Sequence, residues 1–127
     1  MRYWTFDVCS LIADYEKNRK TLASIKECLE LGRGYMEHPI GATSRGDWEL
    51  YVGILELRET EYQTYVDMVM LGMGDLPEVE RLVLQMWLMD NQDDVYIIDH
   101  CGIKNGEELR KIKKIALTKF TNIVMPN

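Results

Sequence analysis

Apolar side chains recur along this chain at the three- and four-residue spacing of helices that pack on one side. The first such pattern predicts a long helix over about residues 5–31, with no proline or glycine inside it. Gly32 and Gly34 follow, and glycine often closes a helix because it adopts the left-handed conformation freely. We therefore expect the helix to end there and a loop to occupy 32–46, which also contains Pro39.

A second helix pattern carries a seven-residue repeat. The apolar residues at this spacing are Trp48, Leu55, Tyr62 and Val69. Asp47 is the predicted N-cap, and the helix is expected over about 47–71, ended by Gly72 and Gly74. Two helices of similar length joined by a loop predict a long antiparallel helical hairpin over 1–74. One chain can satisfy its apolar seam alone, or two copies can share it as a homodimer, and the sequence leaves both open.

The last third of the chain contains three shorter helix patterns. They are apolar over 79–89, acidic over 93–100 and basic over 107–120. Pro77 lies among acidic residues, which predicts the start of the first pattern, and Gly102 predicts a tight turn between the second and the third. This order predicts a three-helix, helix-turn-helix-like module over 75–127. Since no strand-like alternation of any length occurs, we predict an all-α fold.

Charge is distributed unevenly over the 127 residues. The chain has 15 basic and 21 acidic residues, a net charge of -6. Residues 1–100 hold nine basic and nineteen acidic residues, whereas 101–127 hold six basic and two acidic ones. A basic C-terminal element in an acidic protein predicts an anionic partner at that element and protein or solvent around the rest.

Other features of the sequence argue against several functional classes. The apolar runs are too short to cross a bilayer and no signal peptide is found, so we expect a cytoplasmic protein with no membrane partner. Cys9, Cys28 and Cys101 form no C-x-x-C pair, and adjacent residues such as His100 and Cys101 point in different directions, so no metal or cofactor is expected. The two histidines lie far apart and the cysteines occupy apolar helix positions, so we expect no enzyme.

The basic pattern separates an apolar stripe from a cationic face. The residues expected to face inward are Leu109, Ile112, Ile115, Ala116 and Phe120. Those expected to face water or phosphate are Arg110, Lys111, Lys113, Lys114 and Lys119. Lys104 and Asn105 precede the helix, at the end that enters the major groove in a helix-turn-helix. Glu107 and Glu108 either satisfy the amino end of the helix or accept from cytosine amino groups. The plainer alternative is a solvated basic helix of an ordinary bundle.

Four segments of the last third carry a resemblance to a known family. They are 78–87, 94–98, 101–103 and 110–117, and together they resemble the C-terminal module of phage late-gene transcription regulators of the RinA/ArpU type, which are sigma-factor-like proteins. The resemblance covers about 76–120 in detail and the upstream part in layout only. Leu109 follows the glycine one residue later than is usual in that family, which predicts a lengthened turn over 104–108.

The resemblance implies a phage or prophage regulator that binds promoter DNA with its last helix and aids host RNA polymerase. The DNA-facing set that it implies is Lys104, Asn105, Arg110, Lys111, Lys113 and Lys114. A second hypothesis, from a different class, is a small acidic protein-interaction module, either an inhibitor of a host nucleic-acid enzyme or a packaging component that oligomerises through the hairpin. The net charge, the heptad seam and three tyrosines expected to be exposed, Tyr51, Tyr62 and Tyr65, favour this second hypothesis.

Overall fold

The computed structural model describes residues 7–38 and 44–125, which form six α-helices and no strand. The all-α fold class is thereby confirmed. The helices are α1 (Val8–Ala13), α2 (Tyr15–Glu37), α3 (Arg45–Gly74), α4 (Glu78–Leu84), α5 (Asp94–Cys101) and α6 (Gly106–Val124), and α4 continues into a π-helical turn, Gln85–Met89. None of these helices combines the length and the apolar character needed to span a membrane.

The first predicted helix is divided in two. Its start at residues 5 and 6 lies outside the described residues, as does Pro39 of the predicted loop. Asp7 caps α1 by accepting a hydrogen bond from the Ser10 N–H at 3.1 Å. The helix then breaks at Asp14, where no proline or glycine signals a stop. The side chains of Leu11 and Ile12 are buried, because α1 packs against the π-helical turn and α6.

α2 does not end at the glycine pair. It continues through Gly32 and Gly34 to Glu37. A Cβ placed on Gly32 would lie 3.1 Å from a methyl carbon of Val52 on α3. The missing side chain therefore allows a close helix approach, a use of glycine that differs from the predicted left-handed cap.

Contacts divide the chain into two compact units, one of which is Lys17–Val66. Its core is built from Ile25, Leu29 and Val52, with Leu55 and Tyr62 packed against them. Two residues of the predicted heptad seam therefore face α2 of the same chain. Gly32, late in α2, lies beside Val52, early in α3, and the Tyr35 and Trp48 ring centres are 4.8 Å apart, which is the order of an antiparallel pair.

The three tyrosines that were expected to be exposed differ in burial. Tyr51 is 42% exposed and Tyr62 is half-buried, whereas Tyr65 is 1% exposed. The prediction that Tyr65 is exposed was therefore wrong. Its hydroxyl donates a hydrogen bond to the Glu61 carboxylate, which satisfies the polar group while the ring is buried.

α3 begins and ends outside its predicted bounds. Its start is fixed by Ser44, whose hydroxyl accepts a hydrogen bond from the Asp47 N–H at 3.2 Å. The helix runs past the predicted end to Gly74. Gly72 lies inside the helix against the ring of Phe120, so here too a glycine supplies room for a neighbour rather than a stop.

The second unit runs from Asp67 onward and includes the chain up to Glu16. One of its core clusters consists of Val83, Met86, Ile97 and Leu109, which join α4, the π-helical turn, α5 and α6. The unit also takes in α1 and the end of α3, where Val69 and Met73 are buried. Its bounds therefore differ from the predicted division at residue 74, because these segments pack with the C-terminal helices.

Candidate nucleic-acid interface

The connection between α5 and α6 is short and closed at both ends. Gly102 ends α5 in the left-handed conformation, with φ 66° and ψ 34°, and the Ile103 N–H donates to the Ile98 carbonyl at 2.9 Å. The Asn105 side-chain oxygen accepts from the Glu108 N–H at 2.9 Å, and α6 begins at Gly106. Four residues, 102–105, thus join the helices, and the lengthened turn predicted over 104–108 does not occur. A helix-turn-helix turn has about this length.

Three polar residues, Asn105, Glu107 and Glu108, lie at the start of α6. Asn105 is the N-cap of α6, so its side-chain oxygen serves the helix end. Glu107 and Glu108 follow in the first helical turn. Carboxylates are favourable there because the unpaired N–H groups give the helix start a partial positive charge. Of the two roles considered for these glutamates, their placement favours the helix-end role.

Two of the predicted phosphate-facing lysines are engaged inside the unit. Lys113 Nζ lies 2.8 Å from an Asp94 carboxylate oxygen and 4.5 Å from the centre of the Trp87 ring, and its side chain is only 17% exposed. Lys119 Nζ lies 3.0 Å from a Glu80 carboxylate oxygen. These pairs hold α6 against α5 and α4, so the two positive charges are largely compensated before any partner approaches.

The remaining predicted cations are exposed, and three of them lie on one face of α6. Arg110 and Lys114 are four residues apart on α6, and Lys111 and Lys114 are three apart, spacings that place neighbours on one helix face. Lys104 is exposed in the turn just before the helix. We call these four residues the basic face; it is the part of the predicted site that the structure leaves open to solvent.

The opposite side of α6 anchors it to the unit. Leu109, Ala116 and Phe120 are buried, as the apolar stripe predicted. Ile112 is half-buried against the core cluster, but Ile115, which was expected to face inward, is 49% exposed. The buried residues of α6 therefore form a narrower stripe than predicted. They pack α6 against the rest of its unit, on the side opposite the basic face.

α5 carries an exposed apolar face that was not predicted from the sequence. Val95 is 76% exposed and Tyr96 is 47% exposed, and they border an open cleft with Ile98, Ile103 and Asp99. The apolar run at 95–98 contained a signal for this face. A helix that buries Ile97 must turn some of its immediate neighbours outward.

The cysteine near the turn is part of the core. The Cys101 thiol lies 3.8 Å from the Met86 sulfur, and burial raises its pKa, so it remains protonated at neutral pH. Among residues 7–38 and 44–125, no three His, Cys, Asp or Glu side chains gather where they could hold a metal ion.

We expect Gly102→Ala to destabilise the protein by about 1–2 kcal/mol, because a Cβ is strained in the left-handed conformation. Gly106→Ala is the matched control, since its Cβ would meet nothing within 4 Å and its φ is not positive. The control should be neutral or slightly stabilising. Urea unfolding followed by circular dichroism measures both, and equal midpoints for the two variants would contradict this role of Gly102.

Comparisons of this chain with protein-family models, with curated proteins and with solved structures found no match.

Proposed function

We propose that this chain is a non-enzymatic DNA-binding protein that contacts double-stranded DNA through the basic face of α6. The observation that carries the proposal is the exposure of Arg110, Lys111 and Lys114 on one face of α6, with exposed Lys104 in the four-residue turn before it. A helix in this setting can lie in the major groove, with residues near its start meeting base edges and later ones meeting phosphates.

The acidic remainder of the chain limits how DNA can bind. A net charge of -6 repels a polyanion at long range, while salt screens that repulsion beyond about 8–10 Å. Short-range contacts at the basic face are screened less. We therefore expect sequence-selective DNA binding at the basic face rather than general affinity for nucleic acid.

The biological role that we propose follows the family resemblance of the last third. The chain would bind a promoter in the cytoplasm of a host bacterium and regulate transcription of phage or prophage genes, with host RNA polymerase as a further partner. A homodimer through the hairpin would recognise two half-sites about 34 Å apart, or a multiple of that distance. Footprinting on a bound promoter distinguishes one half-site from two.

The test is a titration of a labelled duplex of about 30 base pairs, taken from the region upstream of the gene, at several salt concentrations. Phosphate contacts by the three later cations, Arg110, Lys111 and Lys114, predict that log Kobs falls with log[salt] with a slope of about -2.7. Fluorescence anisotropy between about 50 and 200 mM salt measures this slope. Absence of binding at the lowest salt, or a slope near zero, would show that the basic face is not a DNA site.

A second candidate function is a protein-interaction module, and the exposed face of α5 favours it. Val95 and Tyr96 present apolar surface to solvent, and Asp93 and Asp99 lie along the same cleft. Exposed apolar residues bordered by charge are typical of protein-binding surfaces. The test is capture of a host protein by the wild-type chain and by Val95→Asp. One stoichiometric partner that only the wild type captures, together with no binding in the DNA titration, would favour this function over DNA binding.

A further inference from the structure

The unit Lys17–Val66 carries an aromatic cleft between α2 and α3. Its lining residues are Cys28, Leu31, Gly32, Tyr35, Trp48 and Tyr51, and its volume is about 380 Å³. The lining is mostly apolar and contains three aromatic rings. Ligand sites have this character, a concave apolar wall with a few polar groups that fix orientation.

The three rings are set at angles to one another and leave edges and faces available. The Tyr35 and Trp48 ring centres are 4.8 Å apart with planes tilted by 41°, and those of Trp48 and Tyr51 are 5.8 Å apart at 78°. A Cβ on Gly32 would lie 3.4 Å from a ring carbon of Tyr51, which is an ordinary contact distance, and 3.1 Å from a methyl carbon of Val52. The close approach at Gly32 therefore concerns Val52 more than the rings.

The indole N–H of Trp48 is a buried polar group among the residues that line this cleft. It is shut off from solvent and has no hydrogen-bond partner among the described residues. A buried donor without an acceptor is unfavourable, so a ligand that brings an acceptor gains more than an ordinary hydrogen bond. Because the N–H is shut off from solvent, binding by such a ligand requires the half-buried ring to turn so that the N–H faces the cleft.

We propose that the aromatic cleft binds a proline-rich peptide segment in the polyproline II conformation. Prolyl rings are flat and apolar and pack against tyrosine and tryptophan rings. The backbone carbonyls of this helix have no internal hydrogen bonds, so one is available to the Trp48 N–H. The rigidity of such a peptide also lowers the entropy lost on binding.

The helical segments that carry the cleft have an excess of negative charge. The segments 27–37 and 45–56 contain six carboxylates and two guanidinium groups. Both guanidinium groups are paired, Arg33 with Glu56 at 3.7 Å and Arg45 with Glu49 at 3.0 Å. This excess of negative charge opposes phosphates and favours a peptide with arginine or lysine beside the prolines. A simple alkylammonium ion could lie on the ring faces, but it would offer the indole N–H no acceptor.

The test uses the full chain and a labelled peptide with a Pro-Pro-x-Pro core flanked by arginines. We expect saturable binding by fluorescence anisotropy and a downfield shift of the Trp48 indole N–H resonance, assigned with Trp48→Phe. A peptide with alanines in place of the prolines should bind at least about tenfold more weakly. Equal binding of the two peptides, or a Trp48 shift with tetramethylammonium and none with the proline peptide, would overturn the proposal.

Two variants separate the ring from its donor. Trp48→Phe keeps an aromatic ring but removes the N–H, and Tyr51→Ala removes an exposed ring; each should weaken the peptide about tenfold, equivalent to about 1.4 kcal/mol. Leu57→Ala is the control, an exposed apolar residue of α3 that does not line the cleft, and should leave the affinity unchanged. Circular dichroism and the Trp87 indole resonance report whether each variant is folded. Folded Trp48→Phe and Tyr51→Ala with unchanged affinity would refute the assignment.

Discussion

Gly72→Ala is expected to destabilise the C-terminal unit by about 2–3 kcal/mol, although alanine is the better helix former. A Cβ at residue 72 would lie under 3.0 Å from three carbons of the Phe120 ring. That ring is fully buried and cannot move aside without displacing its neighbours. Overpacking therefore outweighs the gain of about 1 kcal/mol in helix propensity. The measurement is the free energy of unfolding in urea.

Gly53→Ala, in the same helix, is the matched control for this prediction. Its Cβ would meet nothing within 4 Å, so only the helix propensity changes. We expect the control to stabilise the protein by about 0.5–1 kcal/mol. Stabilisation of both variants would mean that Gly72 is not held against Phe120 in solution.

These glycines also show where sequence analysis reached its limit. Gly32 and Gly72 were taken as helix ends because glycine favours the left-handed conformation, yet both lie inside helices and allow a neighbour to approach. A glycine that ends a helix and a glycine that makes room for a neighbouring side chain look the same in the sequence. The partners that distinguish them, Val52 and Phe120, lie 20 and 48 positions further along the chain.

The helices of the last third were predicted more closely, because their ends carry local signals. Asp93 caps α5 through the Tyr96 N–H, Gly102 closes it, and Asn105 caps α6. Each of these bonds spans three or four residues, so the sequence alone contains both partners. The acidic pattern over 93–100 corresponds to α5, Asp94–Cys101, and the basic pattern over 107–120 to α6, Gly106–Val124. Three of these four predicted ends differ from the observed ones by one residue, and the fourth by four.

Helical spacing predicted which side of α6 carries the cations, but not which of those cations are free of carboxylate partners. Helical periodicity placed its lysines outward, which holds for Lys111 and Lys114. It could not foresee that Lys113 pairs with Asp94 or that Lys119 pairs with Glu80, since those partners are 19 and 39 residues away. Which cations remain open to a ligand is a property of the packed unit.

Charge reversal of the basic face, with Arg110→Glu, Lys111→Glu and Lys114→Glu combined, is expected to weaken DNA binding by about a thousandfold at low salt. Each lost phosphate contact is worth roughly tenfold, and the new carboxylates add repulsion. The salt slope should also become shallower by about 2.7, since the three phosphate contacts are lost. All three side chains are exposed, so the helix should remain folded.

The control is Lys17→Glu, Lys20→Glu and Lys26→Glu, which makes the same change in net charge at exposed positions of α2. We expect less than about a tenfold loss from it, because salt screens charges that do not touch the phosphates. A second comparison neutralises Lys113 and Lys119 to glutamine and should lower stability more than DNA affinity, because their charges are already paired with carboxylates. Equal loss of affinity in the two triple variants would mean that DNA senses only the net charge of the chain, and α6 would then lose its assignment as the contacting helix.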